Sequence, residues 1–150
     1  MTLPLAGAKV LDLTNVMSGP YCTLMLADMG ADVVKIESFP DGDMSRRFGP
    51  KANGESYCFA VLNRNKRSIG IDLKRAQGME VFNRLARQAD FVVENFRPDV
   101  KQKLGVDYES VKKNNPQVTY GSVSGFGQTG PYAAKGGYDI VAQGVSGIMR

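Results

Sequence analysis

Carboxylates, cations and glycine-framed loops are the groups in this chain that could do chemistry. Histidine is absent from the 150 residues, which removes the commonest general base and the commonest neutral metal ligand. Ser-His and Cys-His nucleophiles and His-based zinc sites are thereby excluded within this stretch, and no metal is expected. Cys22 and Cys58 lie far apart in the chain and read as reduced thiols rather than a disulfide framework. Basic residues number 19 against 15 acidic, a net charge of +4. The cations fall in separate segments: Arg46/Arg47, Arg64/Lys66/Arg67, Lys74/Arg75, Arg97 with Lys101 and Lys103, and Lys112/Lys113. No repeat or nucleic-acid motif surrounds them, so nucleic acid is not an expected partner. The distribution fits either a mildly basic surface or a phosphate-bearing small ligand gripped from several loops.

One grouping near the start has the outline of a dinucleotide site: an apolar strand at Lys9-Val10-Leu11-Asp12-Leu13, a turn, a helix, and the acidic Glu37 ending the next strand. Its turn reads Asn15-Val16-Met17-Ser18-Gly19-Pro20 and lacks Gly-x-Gly-x-x-Gly, so the backbone could not approach a pyrophosphate in the usual way. A nicotinamide cofactor is set aside on that ground.

The elements that must position these groups can be read from hydrophobic period and from caps. Pro20 fits the first turn of a helix through Tyr21 to Met29, with Ser18 or Gly19 as cap and Gly30 as stop. That helix reads as buried almost all round. Asp32 to Glu37 is the second strand, and a polar loop runs from Ser38 to about Glu55. Ser68 to Leu73 is a strand, after which Met79, Phe82, Leu85, Ala86 and Ala89 recur at helical spacing. Phe91 to Glu94 is a buried strand, Asp99 to Leu104 a helix stopped by Gly105, Tyr108 to Asn114 another helix and Val118 to Val123 a fifth strand. The glycine-rich Gly125-Phe126-Gly127-Gln128-Thr129-Gly130-Pro131 then leads through Gly136-Gly137-Tyr138-Asp139 to a final apolar helix. Alternating strands and helices predict an α/β fold, a Rossmann-like open, mainly parallel sheet with helices on both faces and ligands at the carboxyl ends of its strands.

Hydrophobic residues at 43% and charged residues at 23% suit a globular domain or a piece of a larger one. No apolar run approaches the roughly 20 residues that span a bilayer. The opening residues lack a signal peptide's basic and apolar stretches, so the chain reads as soluble and cytoplasmic with no membrane partner. Its last helix runs into Arg150 without a polar tail, which reads as an amino-terminal fragment.

Several longer strings are more specific. Leu62-Asn63-Arg64-Asn65-Lys66-Arg67-Ser68-Ile69, Ile71-Asp72-Leu73-Lys74, Val93-Glu94-Asn95-Phe96-Arg97-Pro98, Lys103-Leu104-Gly105, Gly125 to Tyr132 and Gly137-Tyr138-Asp139 occur in that order. With the opening Leu5-Ala6-Gly7 and Gly30 to Glu37, the set resembles the class III CoA-transferase family, which includes formyl-CoA:oxalate and carnitine-type enzymes, over essentially the whole chain.

That resemblance implies a CoA or acyl-CoA substrate and a carboxylic acid acceptor. Ile71, Asp72, Leu73 and Lys74 together with Asn95, Phe96 and Arg97 would line the CoA site. Lys74, Arg97 and Lys103 would supply positive charge, with backbone and Phe96 as walls. Lys103 stands where the family commonly carries Arg, and a lysine cannot bind a phosphate in bidentate fashion. Ser38 stands where some members carry an arginine near the adenine. Val16, Met17 and Ser18 and the segment Gly136, Gly137, Tyr138 and Asp139 match the surroundings of the thioester. Met17 replaces the glutamine of oxalate-type members, which shifts the expected acceptor away from oxalate. The implied mechanism is attack by an aspartate on the donor thioester. That aspartate is expected after Arg150, so no catalytic residue is assigned in this chain and residues 1–150 alone are expected to be inactive. An interlocked homodimer is also implied. An α-methylacyl-CoA racemase is the alternative within the superfamily, although racemases there carry histidine where this chain has Tyr138. A non-catalytic CoA-binding module is the alternative outside it.

Overall fold

A computed structural model describes residues 2–149. Strand β1 (Lys9–Asp12) leads into helix α1 (Ser18–Asp28) and strand β2 (Asp32–Ser38), an opening β-α-β unit. Next come a 3-10 turn at Met44–Arg47, the short strands β3 (Lys51–Ala52) and β4 (Glu55–Ser56), and helix α2 (Tyr57–Leu62). Strand β5 (Lys66–Ile71), helix α3 (Ala76–Ala86), strand β6 (Phe91–Glu94), helices α4 (Pro98–Leu104) and α5 (Tyr108–Asn114), strand β7 (Thr119–Ser122) and helix α6 (Asp139–Ser146) complete the chain. Five strands form one sheet in the order β5-β2-β1-β6-β7, and every pairing in it is parallel.

Apolar residues alternate across this sheet as the two-residue period of a strand requires. Val10, Val33 and Val93 point to one face and pack with Ala27 of α1 and Ala31. Leu11, Ile36 and Val92 point to the other, against Phe82 and Ala86 of α3 and Val111 of α5. Both faces are therefore covered, and the expected open α/β sheet is what forms. At roughly 1.5–3 kcal/mol for each fully buried large apolar side chain, these two layers provide the main driving force for folding.

Several details differ from the reading of the sequence. Strand β5 begins at Lys66 and ends at Ile71, earlier than the expected Ser68 to Leu73. Pairing with β2 from Val33↔Lys66 to Ser38↔Ile71 recruits the basic residues into the ladder, while Asp72 turns the chain by accepting the Lys74 N–H at 3.0 Å. Helix α2 was unforeseen inside a stretch read without an element. Six residues are too few to show a period, although Ser56 caps it by accepting the Phe59 N–H at 3.3 Å. Helix α1 starts at Ser18 with Met17 as its uncapped N-cap, because the Met17 carbonyl accepts the first helical bond from Tyr21 at 2.8 Å. It is not buried all round: Tyr21, Met25 and the adjoining Met29 form an exposed face. Helix α6 has no buried residue at all.

Candidate functional site

In a parallel sheet the place where the strand order reverses leaves a crevice at the strand carboxyl ends. Here β1 is followed in the chain by β2 on one side, whereas β6 lies on the other, so the reversal falls between β1 and β6. The loops that leave these two strands are cross-tied there. Asn95, after β6, accepts the Asn15 N–H on its Oδ1 at 2.9 Å and donates its Nδ2 to the Asn15 carbonyl at 2.8 Å.

Behind this tie lies an unusually charged interior. Lys66 and Asp12 form an ion pair of 3.0 Å with side chains 1% and 0% exposed. Lys66 Nζ also donates to the Pro20 carbonyl, Thr23 Oγ1 and Asn63 Oδ1 at 2.8–3.0 Å. Burial pushes the Lys66 ammonium below its ordinary pKa, and the Asp12 charge opposes that shift. Asp12 further accepts from Thr14 and Thr23 at 2.5 and 2.6 Å. Glycine is required at 19 for this corner to close, since a Cβ there would lie 2.4 Å from Thr14 Cβ.

One strand over, Lys35 pairs with Asp43 at 2.9 Å, both side chains almost wholly buried. Glu37 receives Arg46 Nε and Nη2 at 2.7 Å each and the Asp43 N–H at 2.9 Å. Burial alone would raise the Glu37 carboxyl, but the Arg46 guanidinium, the Ser68 hydroxyl and the Asp43 N–H outweigh it and hold the pKa at about 2. Arg46 in turn sits 3.7 Å over the Phe59 ring, tying the 3-10 turn to α2. On the β6 side, Lys101 donates to Glu94 Oε1 at 2.8 Å, Ser122 Oγ at 3.1 Å and Gln128 Oε1 at 2.7 Å.

The expected site residues divide between this frame and the exposed surface. Ile71 and Phe96 pack in or against the main core, with Leu73 beside them, and the Ile71 carbonyl accepts the Phe39 N–H at 3.4 Å. Asp72 is half-buried and shapes its own turn. Asn95 has its amide engaged by Asn15, and Val16 is half-buried with its N–H on Asp43 at 3.1 Å. Met17, Ser18, Lys74, Arg97 and Lys103 are exposed; Arg97 lies 3.3 Å from Asp99 at the start of α4. Gly136, Gly137, Tyr138 and Asp139 are exposed as well. The glycines here serve close approach, since a Cβ on Gly137 would lie 2.3 Å from Gly125 Cα. Asp139 begins α6, where Gln143 donates to it.

Strand order separates the cations. Lys74 follows β5 and Arg97 follows β6, with β2 and β1 between, so their strand axes lie about 14 Å apart at ordinary sheet spacing. They can serve different parts of a long ligand but not one phosphate. Reading the sequence missed Lys35, Glu37, Asp43, Lys66 and Lys101 as parts of the frame. A signal was present in Val33-Val34-Lys35-Ile36-Glu37, since charged residues inside a strand covered on both faces must be paired. Among the described residues no group of three or more His, Cys, Asp or Glu could hold a metal, and no helix is long and apolar enough to cross a membrane.

Comparison with known proteins follows the same outline. A family model described as CoA-transferase family III matches residues 5–150. Over 153 residues the chain is 49% identical to a succinate–glutarate CoA-transferase of Agrobacterium fabrum, an alignment covering 97% of this chain and 38% of that protein. A formyl-CoA:oxalate CoA-transferase of Escherichia coli is 44% identical over 148 residues, 98% of this chain and 36% of its own. The crystal structure of a CAIB/BAIF family protein from Brucella suis superposes with a TM-score of 0.92 at 45% identity, covering 99% of this chain and 40% of that one. This chain thus spans about two-fifths of the length of such relatives. With a match that runs almost end to end and a fold that superposes throughout, the chain belongs to CoA-transferase family III.

Proposed function

We propose that the full-length protein transfers CoA from an acyl-CoA thioester to a carboxylic acid, and that residues 1–150 are its amino-terminal Rossmann-like part, supplying much of the CoA pocket. The observation that carries this reading is the cross-tie between the loops after β1 and β6, with the exposed cations Lys74 after β5 and Arg97 after β6, and Lys103 exposed on α4. CoA combines a 3′-phosphate, a pyrophosphate and a long pantetheine arm. It therefore suits cations set apart from one another and a narrow channel reaching the loop Val16-Met17-Ser18. Lys74, Arg97 and Lys103 bind the phosphates, Phe96 and backbone groups at Ile71, Asp72, Leu73 and Asn95 wall the arm, and Gly136, Gly137, Tyr138 and Asp139 flank the thioester.

An aspartate beyond residue 150 attacks the thioester carbonyl. Cleavage of the C–S bond leaves a mixed anhydride and CoA thiolate, and the thiolate then attacks the aspartyl carbonyl to give an aspartyl-CoA thioester and the free donor acid. An acceptor carboxylate reverses the sequence and leaves with CoA. Relatives named for succinate, glutarate and oxalate support small carboxylic acids as donor and acceptor, with Met17 disfavouring oxalate. A homodimer is part of the same reading.

The test uses the full-length protein with succinyl-CoA and added carboxylic acids, following new acyl-CoA by mass spectrometry, and calorimetric titration with CoA. Transfer to an added acid, together with CoA affinity about tenfold weaker in Arg97→Ala, is the expected result. No transfer to any acid overturns the function, and unchanged affinity overturns the placement of the pocket.

A further inference from the structure

Val16 adopts the one conformation in the crevice that its own side chain resists. It is β-branched and sits at φ 72°, in the left-handed region. A backbone of that kind persists only where its surroundings over-determine it, and here three neighbours do so. Asp43 Oδ1 accepts the Val16 N–H at 3.1 Å. Asn95 holds the Asn15 peptide groups on both sides of that side chain. Lys35 Nζ donates to the Thr14 carbonyl at 2.6 Å.

Two of these three neighbours are the buried ion pair. Lys35 and Asp43 are 2.9 Å apart with side chains 1% and 0% exposed. Asp43 is itself aimed from several directions, since its Oδ1 also takes the Ser45 N–H and hydroxyl at 2.8 Å each and its own N–H donates to Glu37. Burying two opposite charges gains little over an apolar pair. A pair so placed, under a strained turn that faces the strand reversal, does its work through that turn.

We propose that Lys35 and Asp43 are positioning residues for the transfer reaction: they hold Val16 in the left-handed conformation and so fix how Val16, Met17 and Ser18 face the thioester. Neither touches the ligand; Asp43 acts through the Val16 N–H and Lys35 through the Thr14 carbonyl two residues before it. The proposal rests on the functional reading above and assigns to the loop of the sequence Pro40 to Arg47 a role in turnover rather than in binding.

The test is a double-mutant cycle in the full-length protein between Asp43→Asn and Val16→Gly. Glycine takes positive φ without penalty, so it removes the need for the clamp. Asp43→Asn alone is expected to lower kcat about 10- to 100-fold with KM for acyl-CoA changed by less than about threefold. In the Val16→Gly background the same substitution is expected to cost less than about threefold relative to Val16→Gly alone. An equal loss in both backgrounds, or a rise in KM with kcat unchanged, overturns the proposal.

A second readout is independent of catalysis. Hydrogen exchange followed by mass spectrometry on peptides covering residues 13–18 is expected to be about tenfold faster or more in Asp43→Asn than in the parent; unchanged exchange overturns the clamp. A parent protein without transfer activity sinks the functional reading alone, and the exchange comparison then decides the clamp. If Asp43→Asn does not fold, Lys35→Met carries the same expectations, because it removes the other half of the pair at nearly the same length.

Discussion

On the β2 and β1 side of the crevice, the loops are tied to the sheet by side chains almost wholly out of water. Lys35 inside β2 reaches Asp43 in the loop that follows it, and Lys66 at the start of β5 reaches Asp12 at the end of β1. Beyond β7 the chain is held differently. Residues 124–138 form a glycine-rich excursion in which Gln128 accepts from Lys101 of α4, and the helix it leads into buries none of its residues in this chain. The first side is a floor held by buried charges; the second is exposed or half-buried throughout and contributes nothing to the buried core.

The largest effect should come from cutting the floor. Asp12→Ala leaves the Lys66 ammonium buried without its counter-charge and the Thr14 N–H and hydroxyl without their acceptor. The expected cost is about 3–5 kcal/mol in urea unfolding of the full-length protein, with part of it regained on adding Lys66→Met. A loss below about 1 kcal/mol would mean that the floor is not held by its charges.

Acid provides a second, milder probe of the same side. The folded Glu37 carboxyl lies at about 2, below its ordinary 4.5. Its contribution is therefore complete above pH 4.5 and is lost as the pH falls from there towards 2. The full shift corresponds to about 3 kcal/mol at most, and to less in practice because its partner Arg46 is 37% exposed and screened by solvent. Unfolding free energies measured across that pH range should fall in the parent and fall less in Glu37→Gln; parallel curves would remove Glu37 from the account.

The smallest effect belongs to the exposed side. Gln128→Ala removes one acceptor from Lys101, which keeps Glu94 and Ser122. Stability should change by about 1 kcal/mol or less, while hydrogen exchange accelerates over residues 124–138 and not over 13–18. A stability loss matching that of Asp12→Ala would erase the distinction between the two sides.

Much of the fold was legible in local signals. Gly105, in the left-handed conformation at φ 68°, ends α4 where a stop glycine is expected, and the helix begins at Pro98, one residue before the expected Asp99. The alternation of Val10 and Leu11, or Val92 and Val93, between two faces follows from the strand period alone. The full set of ordered strings, from Leu5-Ala6-Gly7 to Gly137-Tyr138-Asp139, marked the family. These signals act within a few residues of themselves, which is why they survive without a structure.

What only the tertiary structure decided concerns partners far apart in the chain. Asn95 and Asn15 are 80 positions apart, Lys66 and Asp12 54, and Lys35 and Thr14 21. A lysine in a sequence carries no mark of whether it will be solvated, like Lys74, or sealed under a turn, like Lys35. The distinction arises when β2 is covered on both faces, because a charge withdrawn from water there must find its counter-charge within the fold. Strand order likewise set Lys74 and Arg97 on opposite flanks of β1 and β2, since parallel pairing joins strands by register and burial rather than by nearness in sequence.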